Sequence, residues 1–175
     1  MSGPISVIKK ICLLGDPAVG KTSLIRRYVF DEFDDTYITT IGTKVTKKAL
    51  EMKCGDKTYK LSMLIWDILG QKEFMAFHKT YYQGAEGALL VCDATRAETQ
   101  QSLLKWIESF TGAVGTVPMI FLVNKSDLVN KEEFDKSFLV ELSKTHNTQF
   151  MFTSAREGLN VEAAFLSMGK RLLPQ

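Results

Sequence analysis

At 175 residues, 45% of them hydrophobic and 24% charged, the chain is long enough to cover a sheet on both faces, and one domain spanning 1–175 is expected. Its 22 basic and 20 acidic residues leave a formal net charge of +2, too little to draw it in bulk to nucleic acid or to an anionic membrane. Cys12, Cys54 and Cys92 are odd in number and far apart, which excludes a disulfide framework or a cysteine-based zinc site and indicates a reducing compartment.

The first predicted strand, Ser6–Leu14, is an apolar, β-branched run that leads into Gly15-Asp16-Pro17-Ala18-Val19-Gly20-Lys21-Thr22. That octet matches G-x-x-x-x-G-K-[ST] letter for letter, and a predicted helix from Ser23 to Val29 completes the context the pattern needs. Gly15 and Gly20 free the backbone to turn successive N–H groups onto one anion, and the helix adds the positive end of its dipole. Lys21 can place an ammonium between β- and γ-phosphates, and the Thr22 hydroxyl suits a bridging Mg²⁺.

The stretch from Phe30 to Gly42 is polar, acidic and aperiodic, the pattern of a mobile loop. Thr43–Met52 and Thr58–Trp66 flank Cys54-Gly55-Asp56-Lys57 as a predicted hairpin, with Lys44, Lys47 and Lys48 as the solvated face of an edge strand. Its second strand runs into Asp67-Ile68-Leu69-Gly70-Gln71. Alone, Asp67 would read as a helix cap. After a phosphate loop it is placed to hold magnesium through water, while Gly70 can offer its N–H to a γ-phosphate and Gln71 can orient an attacking water.

Residues 73–83 are helical but irregular, with Gly84 as the stop. Gly87–Asp93 is a continuous apolar run, expected to be a strand buried on both faces. A helix through Leu103, Leu104, Ile107 and Phe110 follows, then a strand at Val117–Val123 that ends in Asn124-Lys125-Ser126-Asp127. A carboxylate there can accept from the N1–H and the exocyclic amine of guanine, a donor pair that adenine lacks. The remaining predicted elements are a helix over Lys131–Lys144, a strand over Gln149–Thr153, the loop Ser154-Ala155-Arg156-Glu157-Gly158, and a helix through Val161, Ala164, Phe165, Met168 and Leu172. His78 and His146 have no ligand-spaced partner and read as surface or satisfied structural residues.

Strands and helices thus alternate after one hairpin: a three-layer P-loop NTPase fold of the α/β class, with a six-stranded, mostly parallel sheet, one antiparallel strand and helices on both faces. The motifs fall at the carboxyl ends of strands, where such sheets bind ligands.

With its phosphate loop, Asp-x-x-Gly-Gln and Asn-Lys-x-Asp, the chain resembles Ras-superfamily small GTPases of the Rab-like branch over residues 5–173. Rab-like features are Tyr37-Ile38-Thr39-Thr40-Ile41-Gly42, Lys60-Leu61 before Ile65-Trp66-Asp67, and Tyr81-Tyr82-Gln83-Gly84. The resemblance implies nucleotide contacts from Gly15, Asp16, Pro17, Ala18, Val19, Gly20, Lys21, Thr22 and Ser23. It implies Thr22 and Thr40 as magnesium ligands, Asp67 as a ligand through water, and Gln71, Lys21 and Gly70 as catalytic groups. For the base it implies Asn124, Lys125 and Asp127, the Ala155 N–H within Ser154-Ala155-Arg156, and Phe33 stacked on it; Tyr37, from the same acidic loop as Phe33, is a further implied nucleotide contact.

The implied activity is a Mg²⁺-dependent switch that binds GTP or GDP and slowly hydrolyses GTP. Exchange factors, GTPase-activating proteins and effectors would read its switch loops near 31–45 and 67–83. Departures from the family pattern include Pro17 in the phosphate loop, Leu69 before the switch II glycine, Gly42-Thr43-Lys44-Val45 in switch I, Lys72-Glu73 after Gln71, and Arg156. Leu69 and Pro17 motivate an alternative, a GTP-binding scaffold with negligible turnover. A small-molecule kinase is disfavoured, since it would leave Asn124–Asp127 without a use. With no apolar segment of about 18 residues and no signal layout at Met1–Pro4, a cytoplasmic location is expected, peripheral to a membrane only if a lipidated tail extends beyond Gln175.

Overall fold

Every apolar run singled out above folds as a strand in the computed structural model, which describes residues 3–34, 42–71 and 75–174. The strands are β1 (Ile5–Leu14), β2 (Lys44–Cys54), β3 (Lys57–Asp67), β4 (Gly87–Asp93), β5 (Met119–Asn124) and β6 (Phe150–Phe152). They lie in the order β2-β3-β1-β4-β5-β6, and only the β2–β3 pair is antiparallel. Cys54 pairs with Lys57 across the Gly55-Asp56 turn, so the hairpin has a two-residue loop. β2 is an edge strand with Lys44 and Lys47 exposed, but the three lysines do not form one solvated face: Lys48 is half-buried on the Leu50 and Met52 side, its Nζ 5.3 Å from the Tyr28 ring centroid, because side chains alternate along the strand.

Register determines where the site is built. Leu13 lies beside Asp67, Leu14 beside Leu90, and Asp93 beside Asn124, so the polar ends of four parallel strands meet at one sheet edge. Side chains alternate across the sheet, and the two faces bury separate cores. Ile11 and Leu13 pack with α1 (Lys21–Phe30) and α6 (Val161–Leu172), while Cys12 and Leu14 pack with α2 (Met75–Tyr82) and α4 (Leu103–Val114). A short helix, α3 (Ala97–Gln101), precedes α4, and α5 (Ser137–Thr145) adds Leu139 and Leu142 to the second core. All of β4 and β5 is buried, as expected for central parallel strands.

Three further expectations need correction. The helix anticipated over 131–144 begins only at Ser137, because side chains before it satisfy the backbone locally: Asn130 Oδ1 accepts from Glu132 N (3.0 Å) and Asp135 Oδ1 from Ser137 N (2.9 Å). In α4 the inward stripe is Leu103, Trp106, Ile107 and Phe110, and Leu104 is about half exposed. His78 is not exposed and is only half satisfied: it is buried against Trp106 at a ring-centroid distance of 5.5 Å, its Nδ1 lies 3.5 Å from Tyr82 Oη, and its Nε2 has no partner among the described residues. No described helix is long and apolar enough to cross a membrane.

Candidate functional site

The sheet edge opens into a cleft of about 310 Å³ that runs from Gly70 and Gln71 at one end to Asp127 and Leu128 at the other. Its floor is the loop between β1 and α1. Pro17, Ala18, Gly20, Lys21, Thr22 and Ser23 line it directly, whereas Gly15, Asp16 and Val19 lie buried behind them. Gly20 is required as glycine, since it sits at φ +101° and a β-carbon there would run into Asn124 Nδ2.

Side chains from other elements hold the outward carbonyls of this loop. Asn124 Nδ2 donates to Val19 O (3.0 Å), Lys125 Nζ to Ala18 O (2.7 Å) and Arg96 Nη2 to Pro17 O (2.9 Å). In a trans peptide the next N–H points opposite to the carbonyl, so gripping the carbonyls outside turns the N–H groups of Ala18, Val19 and Gly20 toward the cleft. Beneath the loop, Trp106 Nε1 donates to Asp16 Oδ1 at 2.9 Å.

Lys21 is buried, and its Nζ donates to Gly15 O and Asp16 O, both at 2.9 Å. Burial pushes its pKa down to about 8 against the pull of Asp67 and Asp16, and Arg96 adds to the lowering. Gly70 approaches so closely that a β-carbon on it would lie 2.7 Å from Lys21 Nζ. Leu69 and Gln71 flank it on the cleft wall.

Thr22 Oγ1 donates to Asp67 Oδ2 at 2.5 Å. Asp67 Oδ1 is buried and has no partner among the described residues, and burial raises the carboxyl's pKa despite the Thr22 hydroxyl and the Lys21 charge. One carboxylate oxygen lacking a partner beside one hydroxyl is a hard-oxygen donor pair. It fits Mg²⁺, which takes few protein ligands and completes its shell with phosphate and water.

At the far end Ser154 Oγ donates to Asp127 Oδ1 (2.7 Å) and accepts from Glu157 N (3.0 Å), which fixes the carboxylate on the cleft wall. Asn124 Oδ1 accepts from Thr153 Oγ1 (3.1 Å) and from Ala155 N (3.3 Å), so the Ala155 N–H implied for a base is engaged with Asn124 in this structure. Phe33, Ala155 and Arg156 line the same end. Arg27 ties the loop to α1, donating from Nε to Ala155 O (2.7 Å) and from Nη2 to Arg156 O (2.6 Å). Tyr37 and Thr40 lie outside the described residues, as does the Lys72-Glu73 pair.

The sequence patterns did not single out Asp93, Arg96, Trp106 or Arg27. Asp93 is buried, its Oδ2 pairs with Lys125 Nζ (2.8 Å) and Arg96 Nε (3.1 Å), and its Oδ1 accepts from Thr95 N (2.9 Å) and Thr95 Oγ1 (2.6 Å). Burial would raise this carboxyl's pKa, but hydrogen bonds from Lys125 and Thr95 outweigh it and hold the group below the usual carboxylate range. A signal was available: a charge closing an otherwise apolar strand, as Asp93 does on β4, must find partners.

Comparison with known proteins follows this geometry. A model described as the Ras family matches residues 10–174. The chain is similar to the GTP-binding protein ypt1 of Schizosaccharomyces pombe, 35% identical over 164 residues covering 93% of this chain and 79% of that protein. It is 34% identical to Ras-related protein Rab-13 of Canis lupus familiaris over 165 residues, 94% of this chain and 79% of the relative. To Ras-related protein RABA6b of Arabidopsis thaliana it is 40% identical over 164 residues, 93% of this chain and 70% of the relative.

Proposed function

The chain belongs to the Ras family, among its Rab-like members, and on that premise we propose how its cleft performs the family's chemistry. It is a small GTPase that binds GTP and GDP and acts as a switch toward regulators and effectors. The phosphates occupy the loop of Gly15 to Thr22, where Lys21 and the inward N–H groups meet their charge. Guanine lies at the Asp127 end, its N1–H and amine donated to the carboxylate that Ser154 steadies, and Phe33 covers it.

Thr22 and Asp67 would hold Mg²⁺, with Thr40 as a further proposed ligand in the GTP state, and the ion would supply positive charge against the phosphates. Gln71 orients a water whose oxygen bonds to the γ-phosphorus as the bond to the β–γ bridging oxygen breaks. GDP leaves with that oxygen, and the water proton passes to phosphate. Lys21 stays charged, and Gly70 presents its N–H to the γ-phosphate. Leu69 must find room on the cleft wall as Gly70 and Gln71 move, which keeps the unassisted reaction slow.

One observation carries this reading: Lys21 Nζ, the hydrogen-bonded Thr22–Asp67 pair and Gly70 meet at one end of a single cleft. Single-turnover hydrolysis on GTP-loaded protein tests it. The wild-type rate is expected on the order of 10⁻⁴ to 10⁻³ s⁻¹, and Gln71→Leu is expected nearly to abolish it while retaining GTP. An unchanged rate in Gln71→Leu would remove Gln71 from the chemistry.

A further inference from the structure

We propose that Arg96 is a positioning residue of the phosphate loop, one that fixes the Pro17–Ala18 peptide with its N–H turned to the phosphates. The inference rests on the reading of this loop as the phosphate site. Lys125 and Asn124 belong to the base-reading motif, and their side chains grip Ala18 O and Val19 O. Neither holds the next carbonyl along, Pro17 O. Arg96, from the turn after β4, takes it at 2.9 Å.

Two features make this peptide matter. Pro17 has no N–H, so the loop lacks a donor there and the Ala18 N–H carries more of the cradle. Ala18 is held at φ +62°, a left-handed conformation that a residue bearing a side chain keeps only where its surroundings over-determine it. Here both peptides flanking Ala18 are clamped, one by Arg96 on Pro17 O and the other by Lys125 on Ala18 O. Both cations are anchored on the one buried Asp93 carboxylate.

Arginine suits the role because the guanidinium carries donors in a fixed fork, so Nε reaches Asp93 while Nη2 reaches Pro17 O. A lysine would present one compact ammonium to both acceptors.

The test compares wild type, Arg96→Met and Arg96→Lys by three readouts: Mg²⁺·GDP affinity, the ³¹P resonances of bound GDP, and the melting temperature without nucleotide. Arg96→Met is expected to bind GDP about tenfold more weakly, the scale of a lost charge-assisted hydrogen bond, and to shift the β-phosphate resonance. Arg96→Lys is expected to fall between it and wild type. Wild-type affinity and unmoved resonances in Arg96→Met would overturn the proposal, as would a lowered melting temperature with GDP binding intact. If Arg96→Met does not fold, Arg96→Lys decides, and wild-type values for both GDP readouts would overturn it. Failure of the underlying site reading looks different: the wild type itself would bind no guanine nucleotide.

Discussion

Lys21 sets the pH behaviour of the cleft. Burial lowers its amine from 10.5 to about 8, so the unfolded chain binds more protons between those values. Stability from this group therefore rises with pH across that window, and below about 8 the folded protein bears the cost of a buried charge. A phosphate beside the amine favours the charged form and reverses the shift. We expect GDP binding at pH 8 to take up about half a proton, since the free amine is then near half-ionised. Titration calorimetry in buffers of different ionisation enthalpy reads this as a slope, and a zero slope would show that Lys21 does not meet the phosphates.

At the scale of elements, α4 does more than cover the sheet. Its Trp106 is fully buried, stacks on His78 of α2 and donates to Asp16 in the phosphate loop. Trp106→Phe keeps most of the apolar area but removes the donor to a carboxylate. It is expected to cost about 2 kcal/mol in urea unfolding of the GDP-bound protein. A loss below about 0.5 kcal/mol, the level of an ordinary surface change, would mean the indole holds nothing in place.

This link also shows what was legible in the sequence. The phosphate loop and Asn124–Asp127 could be read because each motif is contiguous, and the strands because their apolar runs are unbroken. Arg96 and Trp106 act on partners 79 and 90 positions away, and only the strand register brings them together. The start of α5 was misplaced because Asn130 and Asp135 bond to the backbone just ahead of themselves, in a stretch whose apolar spacing alone is helical. Leu104 was assigned inward for a similar reason: periodicity identified the helix, while the neighbouring Trp106 took the core position.

For the molecule as a whole, the parallel sheet makes one edge of many strand ends, and that edge becomes a cleft with phosphate chemistry at one end and base recognition at the other. Nucleotide binding then couples to the stability of the entire fold. A ligand that binds only the folded state at 1,000 times its Kd adds about 4.1 kcal/mol. Base selectivity should therefore appear directly in the melting temperature.

The most direct test of the cleft as a guanine-nucleotide site is the melting temperature of wild type and Asp127→Asn with Mg²⁺ and saturating GDP, ADP or xanthosine diphosphate. Asparagine keeps an acceptor for the base N1–H but offers an amine donor, which matches the xanthine carbonyl in place of the guanine amine. We expect GDP alone to raise the wild-type melting temperature and xanthosine diphosphate to replace it in Asp127→Asn. Equal stabilisation of the wild type by GDP and ADP, or an unchanged GDP response in Asp127→Asn, would contradict the assignment.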